Sequence, residues 1–174
     1  MSQPHPLVDQ LRFARSEFMR GIKGVSDEDA RMRLVPMNSI GWNLGHLAMQ
    51  EQRYFLWRAQ GLKPYPDIAG EFATGAPATT PPLERVMDAW QRITAAADAW
   101  LDGQTSGSLL ERAVSRGKPT QIMFGNLLQR TIYHYWYHCG ENAAIRQALG
   151  HTNLPQFVGD IDNRAPYRPD GGSA

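Results

Sequence analysis

Apolar side chains recur at three- and four-residue intervals in four stretches of the chain, the period of a helix with one face turned to a core. The first predicts a helix over about 6–23, with Leu7, Leu11, Ala14 and Phe18 in line and Gly21 and Gly24 near its end. The second spans about 38–60: Asn38 or Ser39 offers an N-cap oxygen, Ile40, Leu44, Leu47, Glu51, Tyr54 and Phe55 follow, and Gly61 stops it. The third covers about 81–102, with Thr80 read as its cap before Pro81, and carries Leu83, Val86, Trp90, Ile93, Ala97 and Leu101. The fourth and longest runs over about 121–149, with Thr120 as a plausible cap, and ends at Gly150.

Between these stretches the chain reads as connection. Ser26 with Asp29 offers a cap for one short turn. Residues 63–80, rich in Pro, Gly, Ala and Thr, show no periodicity; a connection this long is either a lid or a loose surface loop. The segment holding Gly117 and Pro119 reads as a polar connection, and no strand alternation exceeds a few residues. From Thr152 the tail is irregular; part of it, around Leu154 to Ile161, is expected to pack on the helices, and the closing GGSA to fray. The expectation is an all-α fold, a four-helix bundle in a single domain over 1–174.

Composition narrows the function classes. An apolar share of 42% and five tryptophans exclude a disordered chain. Eighteen basic against seventeen acidic residues leave a net charge of +1, and the basic residues are scattered, so no nucleic-acid partner is expected. One cysteine, Cys139, excludes an intrachain disulfide and agrees with a reducing, cytoplasmic setting. The N-terminal segment lacks the pattern of a secretory signal, and no window approaches the apolar run that spans a membrane. The apolar helices leave room for a homodimer without showing where.

The chemistry lies in the histidines, of which the chain has five. His134 and His138 are four apart in TIYHYWYHCGEN, which stacks both rings on one helix face. His46 stands mid-way along the second helix in NSIGWNLGHLAMQE. Three neutral imidazoles from two packed helices make a metal site with one position open to water or substrate, the catalytic rather than the closed structural arrangement. The pair alone is a weak signal, equally met by surface histidines or by core histidines bonded to backbone. Two metal motifs are excluded by spacing. Tyr135 stands where the H-E-x-x-H protease motif needs glutamate. Asn43, Thr131 and Tyr135 stand three residues before the histidines, where di-iron bundles need glutamate.

On these two segments the sequence resembles the DinB/YfiT-like superfamily. NSIGWNLGHLAMQEQRYF is similar to its second-helix motif and TIYHYWYHCGENAAIRQALGH to its fourth-helix motif. The order and separation also agree, with a long connection between the second and third helices. The resemblance implies an up-down-down-up bundle holding a divalent metal, nickel or zinc, on His46, His134 and His138. It further implies, for some relatives, transferase or isomerase chemistry with a low-molecular-weight thiol such as mycothiol or bacillithiol as cosubstrate. Coordination would favour the nucleophilic thiolate.

Other residues carry paired readings. Tyr133, Tyr135, Trp136 and Tyr137 are expected to pack against neighbouring helices, the alternative being a tyrosine wall to a substrate pocket. Cys139 reads as a small buried hydrophobe. Glu141, three residues after His138, either orients that ring, acts as a base, or is a solvated carboxylate. Asn43 and Gln50 flank His46 as candidates to receive its second ring N–H. His5 and His151 read as structural. Three functions follow: a metal-dependent, thiol-using transferase or hydrolase acting on a small molecule; a non-catalytic metal- or small-molecule-binding stress-response module; and a bundle without metal in which the histidines only hydrogen-bond.

Overall fold

A computed structural model describes residues 3–156 and 158–169; the GGSA terminus lies outside them. The described chain is mostly helical: α1 (Pro6–Ile22), α2 (Asp27–Arg31), α3 (Ile40–Glu51), α4 (Pro66–Glu71), α5 (Leu83–Leu101), α6 (Ser106–Leu109), α7 (Phe124–Ala148) and α8 (Ile161–Arg164). A π-helix, Gln52–Arg58, continues α3 without a break. A short antiparallel hairpin, β1 (Arg112–Ser115) and β2 (Lys118–Met123), precedes α7. No helix among the described residues is long and apolar enough to cross a membrane.

Local chemistry explains the boundaries. His5 Nδ1 accepts from the Leu7 N–H at 3.2 Å, and Pro6 opens α1 where its missing N–H costs nothing. The Ser26 hydroxyl accepts from Asp29 at 3.0 Å, so the short capped turn forms as α2. Of the two candidate caps for α3, Ser39 serves: its hydroxyl accepts from the Trp42 N–H at 3.2 Å. Gly61 and Gly150 follow the second and fourth helical stretches with φ of 74° and 81°, the left-handed conformation that ends helices.

Three expectations need correction. The connection around Gly117 is a β-hairpin whose two turn residues, Arg116 and Gly117, have φ of 52° and 74°, the mirror-image turn that matches strand twist. Its strands are four and six residues long with Ala113 alone fully buried, and β2 contains Pro119, so neither alternation nor composition announces it. As a result α7 starts at Phe124 rather than near Gln121. Thr80 is not the cap of α5, which begins at Leu83 after Pro82. Finally, the 63–80 stretch contains α4, started by Pro66 and anchored by Ile68 and Phe72, both essentially unexposed; two apolar anchors are too few to read as a period.

Helix α1 lies along α7, α3 packs on α5 and α7, and the π-helix packs on α5. Their shared interior is mostly apolar, with Leu11, Leu44, Leu47, Phe55 and Ile93 at 0% exposure, and it holds one charged knot. Arg15 of α1 donates through Nε to Glu51 Oε1 at 2.8 Å and through a second nitrogen to Oε2. Its Nη1 reaches Asp98 of α5 at 2.7 Å. The Tyr135 hydroxyl of α7 donates to Glu51 Oε1 at 2.7 Å and accepts from Trp90 Nε1 of α5 at 2.7 Å. Burial disfavours the Arg15 charge, but the Glu51 carboxylate outweighs it and raises the guanidinium pKa. Burial, then the charge of Glu51, pushes the Tyr135 phenol well above its ordinary value, so it remains a donor.

Removing one partner of a buried ion pair strands the other charge. Glu51→Ala is therefore expected to cost about 3–5 kcal/mol in urea unfolding, and Tyr135→Phe about 1–3 kcal/mol through two lost hydrogen bonds. Losses at the noise level in both would show that the knot is not what holds the four long helices in register.

Candidate metal centre

The three expected histidines come together. His46 on α3 and the His134/His138 pair on α7 have ring centroids 4.9, 5.7 and 4.6 Å apart. One ring nitrogen of each lies within 4.8 Å of the other two, and no carboxylate or thiol joins the group among the described residues. Helical spacing stacks His134 over His138, and the contact of α3 with α7 brings His46 across to face them.

Hydrogen bonds fix which nitrogens look inward. His46 Nδ1 lies 2.7 Å from the Phe72 carbonyl; a carbonyl only accepts, so Nδ1 carries the proton and Nε2 keeps its lone pair. His138 Nδ1 donates likewise to Glu141 Oε2 at 2.7 Å, which leaves the lone pair on Nε2. That atom faces His134 Nε2 at 2.9 Å. His134 Nδ1 is buried without a hydrogen-bond partner.

The surroundings disfavour the charged form of two of the rings, His46 and His134. Burial lowers the pKa of His46, the charge of His138 lowering it further against the Phe72 hydrogen bond. His134 is pushed down to about 3 by burial and then by the other two rings. Trp42 stacks on His46 with centroids 4.7 Å apart and planes 13° from parallel, which shields that ring and limits its rotation.

The flanking candidates divide. Glu141 is the orienting group for His138. Burial raises its pKa, yet the His138 hydrogen bond and charge, with the Asn38 backbone and the Asn43 amide, outweigh that and hold it below the ordinary carboxylate value. Neither Asn43 nor Gln50 receives the second N–H of His46; Phe72 does. Asn43 donates instead to Asn142 at 2.9 Å. Gln50 keeps a buried amide oxygen without a partner. Tyr135 is turned into the interior as expected, but Tyr133 and Tyr137 are 68% and 71% exposed and do not pack between helices. Cys139 is partly buried, and burial raises its thiol to about 12, so it is an inert apolar group. His5 caps α1, and His151 lies 3.0 Å from Arg146 and 3.3 Å from Asp29.

Two residues of the site bear no mark in the sequence. Phe72 contributes through its carbonyl, a group every residue has. Gly45 makes room for it: a Cβ there would stand 2.6 Å from the Phe72 ring. Gly45→Ala should therefore displace Phe72, break its bond to His46 and cost about 1–3 kcal/mol by overpacking. The measurement is the slowly exchanging Nδ1–H proton resonance of His46 together with urea unfolding. An unchanged resonance would show that Phe72 does not hold this ring.

Comparison with known proteins adds the lineage. No curated protein matches the sequence. The model of the DinB superfamily matches residues 10–141, a stretch that includes all three histidines and Glu141. A match of that extent is decisive: the chain belongs to the DinB superfamily.

Proposed function

We propose that His46, His134 and His138 hold one divalent metal ion, nickel or zinc, and that the protein is a metal-dependent enzyme of the thiol-using S-transferase or isomerase type, built as an up-down-down-up bundle. The observation that carries this is the convergence of three imidazoles with no acidic or thiol side chain in the set among the described residues. Such donors suit borderline divalent ions. A metal there supplies Lewis acidity and favours the deprotonated form of a bound low-molecular-weight thiol.

The chain's own residues supply orientation. The Phe72 carbonyl and the Glu141 carboxylate each hold a ring Nδ1–H, which directs Nε2 inward and raises its basicity. Trp42 covers one side of His46. The third ring of the set, His134, has no partner on Nδ1 and meets His138 through Nε2. A small-molecule substrate in a cytoplasmic setting completes the proposal.

A second reading, a non-catalytic metal-binding module, is favoured by one detail. Gln50 lies one turn after His46 and keeps its buried amide oxygen unpartnered; coordination by that oxygen would close the site.

Metal analysis of protein purified without an affinity tag separates these readings. About one nickel or zinc per chain is expected, lost in His46→Ala and His138→Ala, with consumption of a thiol by an electrophile lost in parallel. Glu141→Ala should keep the metal but weaken it about 10- to 100-fold in chelator competition. No metal in the wild type after incubation with either ion would overturn the proposal. A metal without thiol turnover, released more easily in Gln50→Ala, would favour the module.

A further inference from the structure

A recess lies between the π-helix and α4. It encloses about 330 Å³, in the range of small-ligand pockets, and is walled by Met49, Trp57, Pro66, Ala69 and Ala73. Gln52, Arg53 and Lys63 complete the lining. Of these polar groups, the Gln52 amide is used on both sides: it donates to the Tyr65 carbonyl and accepts from the Tyr65 N–H, each at 2.8 Å. It is a clip that ties the chain entering α4 to the π-helix and has little left for a ligand.

The remaining polar groups are two cations. Lys63 sits over the Trp57 ring, 3.8 Å from its centroid, and neither Lys63 nor Arg53 meets a carboxylate among the described residues. The acids of α4 are engaged elsewhere, since Glu71 lies 2.7 Å and Asp67 3.5 Å from Arg85. Further positive charge stands near Arg53. Arg58, whose guanidinium lies over Tyr54, has its pKa lowered by burial and then by the charges of Arg53 and, more weakly, Arg130. Arg53, Arg58 and Lys63 fall in one stretch of sequence that holds no acid, and folding adds Arg130 from α7. A recess with an apolar wall, unmet cations and no acid is complementary to an anion carried on an apolar body.

We propose that this recess binds a small organic carboxylate, its aromatic or aliphatic body against Trp57 and the walls, its carboxylate between Arg53 and Lys63. The recess adjoins the histidines: Met49 is one turn from His46 on α3, and Ala73 follows Phe72. The proposal does not rest on a metal being held there.

The test uses 4-phenylbutyrate as probe, with 4-phenylbutyramide as its uncharged counterpart, on the full chain in excess chelator so that no metal at the histidines can capture the carboxylate. Binding is read by calorimetry and by the shift of the Trp57 indole N–H resonance, identified by its loss in Trp57→Phe. The acid is expected to bind at least about tenfold more tightly than the amide, and Arg53→Gln/Lys63→Gln to remove about that difference. Ala69→Phe, which fills the recess from an exposed position, should weaken both probes. Equal binding of acid and amide, binding unchanged in the double variant, or no binding of the acid at about 10 mM would each overturn the proposal.

Discussion

A buried charge must be matched by an opposite charge and by hydrogen bonds, or the fold that buries it fails. Glu51 has no exposure, and its one charged partner among the described residues, Arg15, is 5% exposed. Around that pair the four long helical segments are brought together: Arg15 from α1, Glu51 at the end of α3, Asp98 and Trp90 from α5, and Tyr135 from α7. Apolar packing alone tolerates small rotations of a helix about its axis. A carboxylate that needs Arg15 and the Tyr135 hydroxyl at once does not. Because Tyr135 is the neighbour of His134, setting the rotation of α7 at Tyr135 also sets the direction of the histidine pair, about 100° around the helix.

The histidine centre then depends on contacts of very different sequence range. The pairing of His134 with His138, and of His138 with Glu141, is local to α7. His46 is held by a carbonyl 26 residues away, on the segment that ends α4. That segment is where it is because Phe72 fills the gap left by Gly45 and because Gln52 clips the backbone of Tyr65. The π-helix places Gln52 for that role. It is also the wall of the neighbouring recess, so one departure from α geometry serves both the centre and the cavity beside it, in keeping with the tendency of π-turns to occur at functional positions.

The cations show a related effect. Arg53, Arg58 and Lys63 share a stretch of sequence without an acid, Arg130 joins them from α7, and the net charge of +1 gives no sign of this local excess. Their acidic counterparts are drawn to other partners, Glu51 inward to Arg15 and Glu71 to Arg85. Local charge is therefore strongly unbalanced on a molecule that is almost neutral overall.

The four long helices were legible because a helix facing a core repeats every three to four residues, and Leu44, Leu47, Ile93 or Leu127 declare that face without knowledge of the partner. The metal-ligand candidates were legible for a similar reason: His134 and His138 are one turn apart, and His46 lies mid-way along an apolar helix. The hairpin and α4 were not, since Ala113 and the Ile68/Phe72 pair are too few apolar positions to form a period. The direction of each imidazole was also out of reach. It depends on the Phe72 carbonyl, on the absence of a Cβ at Gly45 and on the Asn43 amide behind Glu141, contacts whose chemistry is shared by every backbone and many side chains. Periodicity and residue type are properties of the chain alone; which lone pairs converge is decided only when distant segments pack.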